Sequence, residues 1–207
     1  IAVVIVSSVF AFQGTQSFGA DKQKYNYMGN AGCKCHLSKG CFEGEEYKAR
    51  LHSKTFNKRL TTDEDKKNPE CLRCHATAFD MKIKKGKSKF GNFLEDVTCE
   101  ACHGAGEEYI KVKKNYNNKG KDAFKKLLKD DPMMARKVQF DAGLLVAGIN
   151  KYDTIKEQCM ECHWEDASDK NKCPKVGNDE KTGKPKVMDF KKYFKLDDHR
   201  DHDPIDD

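Results

Sequence analysis

The sequence contains the stretch Cys71-Leu72-Arg73-Cys74-His75, and its spacing recurs in Cys99-Glu100-Ala101-Cys102-His103 and in Cys159-Met160-Glu161-Cys162-His163. We call these motifs II, III and IV. Two thiols three residues apart fall on one helical turn, where they can form thioethers with the two vinyl groups of one haem. The histidine that follows then lies under the iron as an axial ligand. Zinc knuckles and redox dithiols also use paired cysteines, but three copies that each end in histidine favour covalently bound haem c.

A contracted copy of this pattern, Cys33-Lys34-Cys35-His36, precedes the other three, and we call it motif I. It lacks one residue between the thiols, which changes the direction of the first sulfur. It keeps the usual spacing from the second cysteine to the histidine, so we expect a fourth haem at His36. If only Cys35 attaches to it, Cys33 is left to pair with Cys41 or Cys173. If both thiols attach, Cys41 and Cys173 remain, and we expect a disulfide between them.

The composition indicates that side chains alone do not fill the core. Hydrophobic residues make up 37% of the chain and charged residues 35%, so a large side-chain core is not expected. Partial disorder is one interpretation, and a core filled by another apolar body is the other. Ten cysteines and seven histidines favour the second, because haem is large and apolar. We therefore predict a mainly α-helical protein with extensive loop, little strand and haems forming the core.

Local patterns predict where several helices lie. Residues Glu45–Arg59 read as one helix that carries His52 on its apolar stripe. Residues Asp122–Lys129 read as a short amphipathic helix, and Thr154 is a candidate cap for a helix that runs into motif IV. Lysine, glycine and asparagine separate the motifs and indicate loops.

The first twenty residues differ from the rest of the chain. Residues 1–12 form an apolar run of the length of a signal-peptide core, too short to predict a membrane span, and Gly19-Ala20 is a candidate cleavage site. We predict an exported protein, periplasmic or extracellular, with membrane or cell-surface association also open. In that compartment disulfides form and haem c is attached. Residues 21–207 are predicted to form a single tetrahaem domain with an acidic tail at 197–207.

Lysine-rich runs at Met81–Phe90 and Lys111–Lys129 account for much of the formal net charge of +6. Such runs are most often solvated surface, and the alternatives are neutralisation of haem propionates or docking of an acidic redox partner. The propionates would offset the positive charge, so the sequence does not indicate a nucleic-acid partner. Redox proteins, or identical subunits in a filament, are the expected partners.

The number of histidines limits how the irons can be ligated. Four of the seven histidines belong to the motifs, and the other three are candidates for the opposite axial position. Four haems with two histidines each would need eight, so at least one iron must be bound by methionine, bound by another group, or left open. The candidate iron ligands are His36, His75, His103 and His163 in the motifs, with His52, His199 and His202 outside them.

With these features the chain resembles the tetrahaem cytochrome family that accepts electrons from hydroxylamine oxidoreductase in nitrifying bacteria. Val97–Gly106 is closely similar to that family's Cys-x-x-Cys-His-Gly-x-Gly segment, and Tyr47–His52 is similar to its segment with a distal histidine. The resemblance covers Gly29 to about Trp164. It implies a mostly helical fold, haems stacked in close pairs and one five-coordinate haem. The contracted motif I and the lack of histidine between Gly104 and Gln158 depart from the family, so its ligand pairing does not carry over.

Electron transfer is the predicted function, and we expect no enzymatic activity. Extracellular filament cytochromes with four haems per subunit are a second similar group, in which some subunits exchange a haem ligand. A filament subunit is therefore one alternative. The other is a haem enzyme that acts on a small nitrogen oxide at an open iron, which the histidine count permits. No other residues of the chain form a catalytic pattern.

Overall fold

The computed structural model describes residues 24–34, 36–38, 42–145, 152–166, 180–184 and 186–193. Within these ranges, no helix is long and apolar enough to cross a bilayer. Several predicted features lie outside the described residues: segment 1–20, tail 197–207, Cys35, Cys41, Cys173, His199 and His202.

Short helices joined by loops make up most of the described chain, as the sequence predicts. Two strands, β1 (Ala76–Thr77) and β2 (Leu94–Glu95), pair antiparallel with Ala76 opposite Glu95. Segments of 3-10 helix occupy Leu51–Lys54, Asp65–Lys67 and Tyr109–Lys111. The α-helices are α1 (Phe42–Ala49), α2 (Thr55–Arg59), α3 (Pro69–His75), α4 (Cys99–His103), α5 (Val112–Asn117), α6 (Ala123–Asp130), α7 (Pro132–Asp141), α8 (Tyr152–Met160) and α9 (Phe190–Tyr193).

Motifs II, III and IV each lie in or at the end of a helix. Motif II ends α3, motif III forms the whole of α4, and motif IV begins at the end of α8. Helix α3 starts where it does because the Asn68 side chain accepts a hydrogen bond from the Glu70 backbone N–H at 3.0 Å. Pro69 occupies the first turn, where its missing N–H costs nothing. The helical turn that the cysteine spacing requires is therefore present in motifs II and III.

The single helix predicted over Glu45–Arg59 is wrong, because the chain breaks at Arg50. This residue is extended, with φ −78° and ψ 157°. The Ser53 hydroxyl donates to the backbone carbonyls of Lys48 at 3.2 Å and Arg50 at 3.0 Å. Such side-chain bonds offer the backbone an alternative to a continuous helix. His52 therefore lies in a 3-10 turn between α1 and α2.

The other two predicted helices exist with shifted starts. The amphipathic helix is α6, which begins one residue after Asp122 and ends before Pro132. The helix leading to motif IV is α8, and it starts at Tyr152, so Thr154 does not mark its beginning. Helix α7 follows α6 directly because the Asp131 side chain caps it, accepting from the Met134 N–H at 2.9 Å.

Apolar side chains form two small clusters in the described chain. The α2–α3 cluster consists of Phe56, Leu60, Cys71, Leu72, Ala76 and Phe93. The α5–α7 cluster consists of Val112, Phe124, Leu128 and Ala135. The first cluster includes a cysteine of motif II, so side-chain packing directly supports that haem motif. That haems complete the core stays a prediction.

We expect Phe56→Ala to lower the free energy of unfolding by about 3–5 kcal/mol, because it opens a cavity in the α2–α3 cluster. The Phe56 side chain is fully buried, and its ring centre is 5.5 Å from that of Phe93. Denaturant unfolding measures the change. Met133→Ala is the control, since Met133 is 64% exposed and its loss should change stability by less than about 0.5 kcal/mol. Equal stability of the two variants would contradict this packing.

Candidate haem-binding site

Cysteines of different motifs lie against one another. The thiols of Cys33 and Cys99 are joined by a hydrogen bond, which places motif I beside motif III. The thiol of Cys162 is hydrogen-bonded to Cys74 and donates to the backbone carbonyl of Arg73 at 3.6 Å. Motif IV therefore lies beside motif II. No disulfide joins the cysteines that the structure describes.

The thiol pKa values reflect this crowding. Burial, reinforced by the nearby Cys159 and Cys99, raises the pKa of Cys102 to about 11. The hydrogen bond with Cys99 raises the pKa of Cys33, and the same bond lowers the pKa of Cys99. Burial also raises the pKa of Cys159. Cys102 and Cys159 are close enough for their charges to interact, so motifs III and IV are also near each other. Motif II lies beside motif III as well, because the Thr98 N–H donates to Thr77 Oγ1 at 2.8 Å.

His52 faces the histidine of motif IV. The ring centres of His52 and His163 are 5.9 Å apart, and the rings are tilted by 53°. A metal–imidazole bond is about 2 Å long, so two imidazoles on opposite sides of one metal ion have ring centres about 6 Å apart. Partial desolvation, with the Arg50 charge, lowers the pKa of His52, and desolvation also lowers the pKa of His163. Both rings thus favour the neutral form that ligates metals.

The histidine of motif II is held by a hydroxyl group. Thr55 Oγ1 lies 2.8 Å from His75 Nδ1. Thr55 is 4% exposed, and burial, reinforced by the Arg59 charge, lowers the pKa of His75. With Nδ1 engaged in this bond, the other ring nitrogen, Nε2, is the one left to bind a metal. The histidines of motifs I and III, His36 and His103, are solvent-exposed.

A buried glutamate ties the chain around motif III, and the sequence alone did not single it out. The Glu100 carboxylate accepts backbone N–H bonds from Met28 at 2.9 Å, Gly29 at 2.7 Å and Gly106 at 2.7 Å. Burial raises the pKa of Glu100, and these donors counteract that effect. Glutamate is common near the motifs. The useful signal was its position inside a motif followed by Gly104-Ala105-Gly106.

The two glycines after motif III are required by close packing. Gly104 has φ +83°, and a Cβ there would lie 2.8 Å from the Leu145 side chain. A Cβ on Gly106 would lie 2.8 Å from the Glu100 carboxylate. Both contacts are shorter than real Cβ atoms make. The Gly-x-Gly pattern therefore lets the backbone turn back against Glu100.

Two buried polar atoms next to the motifs suit a haem. Thr98 Oγ1 and Trp164 Nε1 have no hydrogen-bond partner among the described residues. Thr98 directly precedes motif III, and Trp164 directly follows motif IV. Unpaired buried donors are costly, and the propionates of haem are acceptors that can pair them. Together with the paired thiols and the spacing of His52 and His163, these residues fit haem c. No cluster of three or more metal-binding side chains occurs within the described ranges.

We expect Glu100→Gln to destabilise the protein by about 1–3 kcal/mol, because the amide group cannot accept at both positions and leaves a buried N–H unpaired. Thermal unfolding measures the loss. Hydrogen exchange should become faster at the amides of Met28, Gly29 and Gly106. Glu161→Gln is the matched control, since Glu161 is also inside a motif but solvent-exposed. The same loss in both variants would contradict the role given to Glu100.

Comparison with known proteins gives one match. Residues 32–104, about a third of the chain and including motifs I to III, match the family described as cytochrome c554 and c-prime. No curated protein and no solved structure matches the chain. The match supports a c-type cytochrome, with haem c as its cofactor and electron transfer as its activity. It does not extend to motif IV, so the pairing of His52 with His163 rests on the structure and not on the family match.

Proposed function

We propose that this chain is an exported electron-transfer protein that holds four haem c groups, one at each motif. When bound, haem c supplies an iron that gains and loses one electron. Cysteines 71, 74, 99, 102, 159 and 162 anchor three groups, and Cys33 with Cys35 anchors the fourth. The observation that carries the proposal is the contact between cysteines of different motifs, Cys33 with Cys99 and Cys74 with Cys162.

These contacts group the four motifs into two pairs. Motifs I and III form one pair, motifs II and IV form the other, and Cys102 lies close to Cys159 between the pairs. Electrons would enter at one pair and leave at the other. The protein contributes short separations, fixed ligands and exclusion of water. This pairing follows from contacts and not from position in the sequence.

His52 is the proposed second ligand of the iron at motif IV, opposite His163. It lies in a 3-10 turn that is tied to motif III, because the Val97 N–H donates to the His52 carbonyl at 3.1 Å. His199 and His202 are proposed as ligands of two other irons. One iron then has no second histidine. We assign no catalytic residue, and the proposed role is that of a carrier.

The proposed partner is an acidic redox protein of the exported compartment. Loop 81–90 carries five exposed lysines, and it has no acidic residue. Lys84 is paired with Glu107 at 3.1 Å. A positive surface of this kind raises the association rate with a negatively charged partner. Export rests on the apolar segment 1–20.

Mass spectrometry and electron paramagnetic resonance of the purified protein test the proposal. Four haem masses per chain are expected, and reversible one-electron reduction of each. A protein with three haems would refute the assignment of motif I. A protein without any haem would refute electron transfer. Turnover of nitric oxide, hydroxylamine or nitrite at a high-spin haem would favour the enzyme instead.

We expect His52→Ala to convert one haem of the four from low-spin to high-spin, because the iron at motif IV loses a strong-field ligand. Electron paramagnetic resonance of the oxidised protein measures the change. His52→Met should keep that haem low-spin and raise its potential. Asn57→Ala, at an exposed position of the neighbouring helix α2, should change neither property. An unchanged spectrum in His52→Ala would contradict the ligand assignment.

A further inference from the structure

The segment Leu51–Arg59 contacts two motifs that belong to the same pair. His52 faces His163 of motif IV, and three residues later Thr55 contacts His75 of motif II. The contact of His52 with His163 is what two ligands of one metal would make. The contact of Thr55 with His75 is different, because Thr55 meets the ring nitrogen that points away from a metal bound at Nε2.

We propose that Thr55 is a positioning residue that fixes the ring of His75 and lowers the reduction potential of the haem at motif II. The inference rests on the proposed function. It goes beyond that function because it gives a specific potential-setting role to a residue that neither attaches haem nor binds iron.

The position of the Thr55 hydroxyl is set by other parts of the fold. Thr55 is the first residue of α2 and is 4% exposed. The next backbone N–H, that of Phe56, donates to Asp96 Oδ1 at 2.8 Å. Phe56 itself is anchored in the α2–α3 cluster. The backbone next to Thr55 is therefore anchored by two contacts of Phe56, and the hydroxyl lies 2.8 Å from His75 Nδ1.

The chemistry of imidazole then decides the direction of this hydrogen bond. When Nε2 binds iron, Nδ1 carries the ring proton and donates it to Thr55 Oγ1. A hydrogen-bond acceptor at Nδ1 makes the ring a stronger electron-pair donor to the metal through Nε2. A stronger donor stabilises the oxidised iron more than the reduced iron, which lowers the potential. The nearby Arg59 charge is present with or without the hydroxyl and does not alter this comparison.

Thr55→Val and Thr55→Ser separate the hydroxyl from the shape of the side chain. Valine keeps the volume and removes the acceptor, whereas serine keeps the acceptor. After haem content is confirmed by mass spectrometry, spectroelectrochemical titration of the holoprotein measures the potentials. We expect Thr55→Val to raise the midpoint potential of one component of the titration by up to about 59 mV. At a given applied potential this lowers the oxidised-to-reduced ratio of that component by up to tenfold for one electron. Thr55→Ser should leave that component close to its original value.

Thr77→Val is the matched control for the loss of a buried threonine hydroxyl. Thr77 is 2% exposed, and its hydroxyl donates to the Asp96 carbonyl and accepts from the Thr98 N–H without touching a motif histidine. It should reduce stability and leave the potential of the component shifted by Thr55→Val unchanged. Unchanged potentials in a fully loaded Thr55→Val protein would overturn the inference. So would an equal shift in all components, or a serine variant that behaves like valine.

A readout on the unaltered protein covers the case in which Thr55→Val fails to fold. In nuclear magnetic resonance spectra of the reduced holoprotein, the His75 ring N–H should exchange slowly with solvent and lie close to Thr55. Rapid exchange would overturn the inference while leaving electron transfer intact. A protein without haem at motif II would refute the proposed function as well, so the two failures are distinguishable.

Discussion

The thiol of Cys33 is hydrogen-bonded to Cys99, and the thiol of Cys162 is hydrogen-bonded to Cys74. The organisation of the site depends on these contacts between distant cysteines. In the proposed function each motif anchors one haem, so the packing of the motif helices sets the separation of the haems. The described chain has little apolar material for that packing, with two small clusters and many loops. Hydrogen bonds from side chains to the backbone therefore help to hold the motifs in position.

Glu100 and the segment Leu51–Arg59 show how these polar links operate. Glu100 joins motif III to residues 28 and 29 near the start of the described chain, through a buried carboxylate with several N–H donors. Leu51–Arg59 joins motif II to motif IV and is itself anchored to Asp96 and Val97. Removing one partner of such a buried hydrogen bond lowers the free energy of unfolding by more than the net contribution of the bond, because the other partner is left unpaired. Within Leu51–Arg59, Thr55 also engages Nδ1 of His75, which leaves Nε2 to face a metal.

The break at Arg50 connects local structure to this arrangement. A continuous helix over Glu45–Arg59 would place His52 and Phe56 on one stripe, as the periodicity predicts. The extended Arg50 and the 3-10 turn after it instead allow His52 to face His163 while Phe56 enters the α2–α3 cluster. The amphipathic pattern was correctly identified over α6, where nothing competes with it. It failed at Arg50, where the Ser53 hydroxyl takes carbonyls that the helix would use.

The sequence by itself determined the mainly helical class, and it carries the prediction of the haem-attachment residues. Cysteine spacing is a local property, since two thiols and a histidine within five residues must share one helical turn. The tertiary structure decided which motifs lie together, that His52 faces His163, and which groups Thr55 and Glu100 contact. Those relations join residues that are 20 to 111 positions apart, such as Thr55 with His75 and His52 with His163. No spacing rule encodes them, because they depend on how helices without strong individual propensity pack against one another.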